Sequence, residues 1–224
     1  MFPRLFCREA SEVRELQRMA ARISYSPGEN ILEDGAQADF VFGVSAGVVR
    51  LFKLRSDGGR QIISLALPGD FLELPLVSRH MLSATAVDKV SLHRFPRASL
   101  KTYILSNPNL MRLLVEFATR QLELAQDHLL TLGTGSAEER VLRFLTTWRN
   151  RMAPSNRIPD YLPLPMMRED IADFLGLTIE TVSRTLRRLE KKNLIRVVPK
   201  GVVLGPSLLR PKEYVTRQHE SRDR

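Results

Sequence analysis

Residues 168–190 read REDIADFLGLTIETVSRTLRRLE, and this stretch decides what kind of protein the chain is. Ile171, Ala172 and Leu175 fall on one face of a short helix, Gly176 permits the positive φ of a tight turn, and Thr178 caps a second helix. Val182, Leu186 and Leu189, spaced four and three apart, form the buried face of that second helix. Two short helices joined by a glycine turn, with small Ala172 where they cross, make a helix-turn-helix. A second helix entering the major groove by its N-terminal end presents Ile179, Glu180, Ser183 and Arg184 to base edges. Arg184 can donate two hydrogen bonds to guanine O6 and N7, Glu180 can accept from a cytosine amino group, and Ile179 can touch a thymine methyl. The competing reading makes Glu180 and Arg184 a surface ion pair worth about 0.3 kcal/mol, which would also hold Arg184 in the groove. Arg168, Thr178, Thr181, Arg187 and Lys200 suit phosphate oxygens, which set affinity and register rather than sequence preference.

Outward from that stretch, LIRVVPKGVVLG (194–205) reads as a hairpin turning at Pro199-Lys200-Gly201, and APSNRIPDYLPLP (153–165) as a Pro-containing loop. Ser136-Ala137-Glu138-Glu139 is a capping box that starts a helix through Trp148, a core residue under the helix-turn-helix. Thr134-Gly135-Ser136 is read as a hinge between domains. Before it, residues 106–133 open with Asn107 as N-cap and Pro108 at the first helical position, and close at Gly133, which predicts one long helix. Met111, Val115, Ala118, Leu122, Ala125, Leu129 and Leu132 alternate spacings of four and three along it, the seam of a coiled coil. A second stripe, Leu110, Leu114, Phe117 and Leu124, lies beside the seam. One wide apolar face packed on its own domain is the plainer reading; the strict seam beside a bulkier stripe favours a two-sided helix that pairs with its copy in a homodimer.

From Ser24 to Phe95 the period changes to short apolar runs punctuated by glycine turns. VVRLFKL and QIISLAL flank Ser56-Asp57-Gly58-Gly59-Arg60, which predicts a hairpin. The expected architecture is α+β: a β-barrel domain over 1–105, a dimerisation helix over 106–133, and a winged helix-turn-helix domain over 134–224. Charge follows the same division, with a net +2 in residues 1–133 and +7 in 134–224, which points to a polyanion partner for the C-terminal part.

The 224 residues, 43% hydrophobic, suffice for a folded core. No apolar run is long enough to span a membrane and the first residues lack the core of a secretion signal, so a cytoplasmic protein is expected. Cys7 is the single cysteine, which excludes an internal disulfide and any iron-sulfur or zinc site needing several thiolates from this chain. It reads as an incidental free thiol, although Arg4 and Arg8 lie near it. No nucleophile-base-orienter set and no glycine-rich phosphate loop with lysine is visible, so no enzymatic activity and no metal site are expected.

A β domain, a long helix and a C-terminal helix-turn-helix with wing, in that order over about residues 20–205, resemble the Crp/Fnr transcription regulators. RLFKLRSDGGRQIISLALPGDFL and LPMMREDIADFLGLTIETVSRTLRRLE look most like the FixK branch, found in bacterial oxygen-limitation and nitrogen-fixation circuits. The resemblance implies a double-stranded β-helix of the cyclic-nucleotide-binding kind, a homodimer and RNA polymerase as a partner, with contacts near 153–163. It places Ile179, Glu180 and Arg184 on the base-reading positions and Ser183 in a shared E-x-x-S-R core, and implies a palindrome of the type TTG(A) with (T)CAA. Met167 stands where a capping serine is common, a change expected to cost about 1 kcal/mol of cap.

The resemblance also directs attention to GDFLELPLVSRHMLSATAV (69–87). Cyclic-nucleotide members hold ribose with a Glu and phosphate with an adjacent Arg-Ser pair in this loop. Here Glu73 and Ser83 remain, but Leu82 occupies the Arg position, Arg79 lies three residues earlier, and bulky Leu72 replaces a glycine. A phosphate would lose its charge-assisted partner. His80 is the one histidine of the loop and hence the candidate for haem; His93, His128 and His219 lie elsewhere. The expectation is a loop filled by its own side chains, no cofactor, and a DNA-binding regulator, more an activator than a repressor. The alternatives are a sensor gated by haem or a small molecule near Glu73, Arg79 and Ser83, and an architectural DNA-binding protein without sequence preference.

Overall fold

The structure is a computed structural model that describes residues 10–152 and 161–209. Cys7, His219 and most of the 153–163 loop lie outside the described residues. The chain runs α1 (Ala10–Met19), β1 (Ala21–Tyr25), β2 (Asn30–Leu32), β3 (Phe40–Ala46), β4 (Val49–Leu54), β5 (Arg60–Ala66), β6 (Ser83–Ala86), β7 (Val90–Pro96), α2 (Arg97–Leu105) and α3 (Pro108–Gly133). It continues with α4 (Ala137–Met152), β8 (Tyr161–Pro163), α5 (Arg168–Leu175), α6 (Ile179–Lys191), β9 (Ile195–Val198), β10 (Gly201–Leu204) and α7 (Pro206–Leu209).

Two antiparallel sheets, ordered β1-β7-β3 and β2-β6-β4-β5, form the N-terminal β-roll. Alternation decides which side chains they share. Leu32, Phe42, Val44, Val49, Leu51, Val90 and Leu92 point between the sheets and are buried together. Val41 and Phe95 have the opposite parity and pack outside the roll with Leu16 of α1, Leu100 and Ile104 of α2, and Leu110, Leu113 and Leu114 of α3. The hairpin expected around Ser56 is β4–β5, with Leu54 paired to Arg60, so that Arg60 opens the strand instead of belonging to the turn.

The α3 helix starts where the sequence places it: the Asn107 side chain accepts from the backbone N–H groups of Asn109 and Leu110, and Pro108 follows. The capping box of α4 is present too, with the Glu139 carboxylate accepting from Ser136 N at 2.6 Å and Ser136 Oγ accepting from Glu139 N at 3.3 Å. The helix continues past Trp148 to Met152. Trp148 is buried and donates from Nε1 to the Pro163 carbonyl at 2.9 Å.

Two elements depart from the sequence reading. α1 and α2 have no counterpart in it, and Tyr161–Pro163, expected as loop, is an edge strand on β10 in the three-stranded sheet β8-β10-β9. The turn at Thr134 to Ser136 does separate α3 from α4, yet the two parts of the chain share one apolar cluster. Val48, Ile62, Leu65 and Leu67 of the roll pack in it with Val141, Phe144 and Leu145 of α4 and with Ile171 and Leu175 of α5.

His128 of α3 stacks on Phe174 of α5, with ring centroids 4.1 Å apart and an interplanar angle of 19°. Its Nε2 is buried without a hydrogen-bond partner among the described residues, and burial pushes the imidazole pKa down. The folded state therefore favours neutral His128, while the unfolded chain takes up a proton below about 6.5. Stability from this group is full above that pH and is lost as pH falls through it, because the unfolded state then binds more protons. His128→Phe, which keeps the stack and removes the titration, should narrow the gap between denaturant midpoints measured at about pH 7.5 and about pH 5.5.

Candidate nucleic-acid interface

The first helix of the motif, α5, begins after Met167, whose thioether supplies no cap. The other half of the capping arrangement is present: Asp170, three residues in, accepts from the Met167 backbone N–H at 3.1 Å through Oδ2. Gly176 closes α5 at φ 62°, the left-handed conformation that the turn requires, and Leu177 N donates to the Ala172 carbonyl at 3.0 Å. Thr178 caps α6, its Oγ1 accepting from Thr181 N at 3.2 Å. Val182, Leu186 and Leu189 are buried beneath α6, and buried Ala172 lies with them in the same cluster.

The opposite face of α6 is open. Ile179 is 44% exposed, Glu180 and Arg184 are exposed, and Ser183 is half-buried between them. Glu180 and Arg184 are not joined as an ion pair; Arg184 Nη2 instead reaches Thr181 Oγ1 at 3.4 Å. The Glu180 carboxyl is held below the usual carboxylate range by its own backbone N–H at the helix N-terminus and by the Thr178 hydroxyl, with Arg184 contributing less. An ionised Glu180 is an acceptor only, which is the role a cytosine amino group requires.

Among the phosphate candidates, Arg168, Thr178, Arg187 and Lys200 are exposed and Thr181 is half-buried. The hydroxyls of Thr178 and Thr181 lie 3.0 Å apart and serve the cap and Arg184. Lys200 sits at the tip of the β9–β10 wing at φ 59°, while its carbonyl accepts from Leu164 N at 2.9 Å. Lys192, a further cation just past α6, turns away to Glu138 of α4 at 2.5 Å.

In the loop over 69–87 each polar group singled out from the sequence has a partner within the chain. Glu73 Oε2 shares a hydrogen bond of 2.6 Å with His80 Nδ1, and Oε1 accepts from Met81 N at 2.7 Å. Both side chains are nearly sealed from solvent. Arg79 donates from Nη1 to the Gly35 carbonyl at 2.9 Å, and Ser83 Oγ accepts from Asp34 N at 3.2 Å. Leu72 is buried in the core of the roll and Leu82 packs against it. Arg97, which the sequence reading passed over, donates to the carbonyls of Ala38, Phe40, Leu74 and Pro75 and so ties the loop to β3.

Along α3, Leu110, Leu113 and Leu114 are buried, while Val115, Leu122 and Leu129 are 58%, 59% and 67% exposed. The rest of the seam is more mixed. Ala125 is exposed, Ala118 is half-buried, Met111 packs partly on the α1–α2 cluster, and Leu132 lies against Gly176, where a Cβ would come within 3.3 Å of its Cδ2. Leu124 of the second stripe is half-buried.

A β-roll joined through a long helix to a winged helix-turn-helix defines a DNA-binding transcription regulator, not an enzyme. The model of bacterial regulatory proteins of the crp family matches residues 164–195, and that of the cyclic nucleotide-binding domain matches residues 22–107. The transcriptional activatory protein AadR of Rhodopseudomonas palustris is 46% identical over 193 residues, covering 86% of this chain and 81% of its own. The nitrogen fixation regulation protein FixK of Bradyrhizobium diazoefficiens is 43% identical over 196 residues, covering 88% and 83%. The solved structure of FixK2 from Bradyrhizobium japonicum superposes with a TM-score of 0.77 at 37% identity, covering 83% of this chain and 92% of that one. The chain belongs to the Crp/Fnr family of transcription regulators and is FixK-like within it. No helix among the described residues is long and apolar enough to cross a membrane.

Arg184→Ala should cost about 1–3 kcal/mol on a specific site and relax preference at the guanine, measured by competition between specific and scrambled duplexes. Equal weakening on both would make Arg184 a phosphate contact only.

Proposed function

We propose that this chain is a homodimeric activator that reads a TTG(A)/(T)CAA-type palindrome without a cyclic-nucleotide or iron-sulfur effector, in an oxygen-limitation or nitrogen-related circuit. The observation that carries the reading is the open face of α6. Ile179, ionised Glu180, Ser183 and Arg184 stand together at the N-terminal end of a capped, buried-backed helix, on the part of the chain with the larger positive charge. Relatives named for activation and for nitrogen fixation regulation support the circuit and the direction of control.

Two further observations support the rest. Val115, Leu122 and Leu129 form an exposed apolar row on a helix whose other side is already buried, which suits a second copy of the same helix and a two-fold-symmetric DNA site. In the roll, the Glu73 carboxylate is occupied by His80 and the Met81 backbone, and Leu82 stands where a phosphate-binding arginine would be needed. A nucleotide would have to displace those bonds without a cation in return. The same bond engages His80 Nδ1 and holds its ring inside the nearly sealed loop.

Protein purified in air should bind the palindrome tightly and scrambled DNA weakly, with no change on adding cyclic AMP. Binding that requires the nucleotide would overturn effector independence, and equal binding to both duplexes would favour an architectural role. Leu122→Glu should yield monomers by sedimentation; an unchanged dimer would refute the seam as the contact.

A further inference from the structure

The apolar cluster shared by the roll and the C-terminal part is edged by charges drawn from strands and helices far apart in the chain. Asp170 is the most buried of them, its side chain 2% exposed. Its Oδ1 receives Arg50 Nη1 of β4 at 2.7 Å and Arg60 Nη2 of β5 at 2.9 Å, while its Oδ2 holds the α5 N-terminus. Arg60 also binds Asp173 Oδ2 at 2.8 Å through Nη2 and at 2.9 Å through Nε, and Gln61 Nε2 donates to the Asp173 carbonyl at 2.5 Å. Arg50 is itself aimed by a bond from Nε to Thr85 Oγ1 at 2.6 Å. On the other flank, Arg151 of α4 binds Asp70 at 2.6 Å, in the turn that opens the 69–87 loop.

We propose that Arg60 and Asp173, with Arg50 and Asp170 behind them, are positioning residues for DNA recognition: they clamp α5 to the β4–β5 hairpin and thereby fix the direction in which α6 presents Ile179, Glu180 and Arg184. The inference rests on the reading of α6 as the base-reading helix. Apolar packing is non-directional and tolerates rotation of α5 on the sheet, whereas a forked guanidinium on two carboxylates fixes one orientation. Asp170 is buried while Arg50, Arg60 and Asp173 keep part of their surface in water, and ion pairs drawn out of water contribute little to stability because desolvation offsets attraction, so their use at this joint is explained by orientation. The clamp leaves the reading face open, since all of its contacts lie on α5 and none on the exposed residues of α6.

A double-mutant cycle on the full-length protein tests the proposal. Arg60→Ala and Asp173→Ala leave the Arg50–Asp170 pair and the α5 cap in place. Each should lower affinity for the palindrome about tenfold, a usual magnitude for coupling between sites. Affinity for scrambled DNA should stay near the wild-type value, the double variant should lose little more than either single one, and Arg60→Lys should recover part of the loss. By calorimetry the wild type should unfold in one transition and the variants should lose that cooperativity. Losses that multiply in the double variant would mean that the two residues act separately, and would overturn the clamp. So would wild-type discrimination with unchanged unfolding, or tighter palindrome binding by the variants. If the wild type itself fails to distinguish the palindrome from scrambled DNA, the base-reading role of α6 falls, while the unfolding traces still decide whether the clamp joins the two parts.

Discussion

The Asp170 carboxylate is the constraint on which the relation between the two parts of this protein depends. Taken out of water, it needs polar partners in compensation, and it has three: the guanidinium groups of Arg50 and Arg60 and the N–H of Met167. One oxygen starts α5 and the other binds the roll. The reciprocal bond at the start of α5 and the contact that seats the helix-turn-helix are therefore made by the same group. Replacing Asp170 would disturb helix initiation and domain contact together, which is why a cycle on Arg60 and Asp173 separates the two effects.

The α3 helix is the second shared element. Its buried stripe closes the outside of the roll through Leu110, Leu113 and Leu114, and its far end meets α5 through the His128–Phe174 stack and the Leu132 contact at Gly176. α5 is thus held from the strands on one side and from α3 on the other. Its positive-φ glycine lets Leu132 come close as well as turning the chain. The loop of the roll follows a similar economy, with Glu73, His80, Arg79, Ser83 and Arg97 all bonded within the chain.

Much of this was legible locally. The Asn107-Pro108 start of α3, the Ser136–Glu139 box of α4 and the apolar period of α5 and α6 are signals carried by neighbours a few residues apart, and the helices begin where those signals stand. α2 has no such signal: Pro96 precedes it without a side-chain cap, and it forms because Leu100 and Ile104 fill the space between β7 and α3. β8 is short and ends in proline; it becomes a strand because β10 offers an open edge and Leu162 a place in the core. The Glu73–His80 bond was equally hidden, since nothing in a loop sequence shows which acceptor a histidine meets.

The amino-acid sequence by itself determined the helix-turn-helix, the long helix and the strand-rich first half, because periodicity and capping act over a turn or two of chain; the family came from the resemblance of those motifs in their order. Only the tertiary structure decided which charges meet. Arg50 and Asp170 are 120 residues apart, and Arg60 and Asp173 are 113 apart. Arginine and aspartate at such positions read as solvated surface until the roll and α5 are brought together, because an ion pair depends on distance in space and on the loss of water around it, and neither is written in sequence spacing.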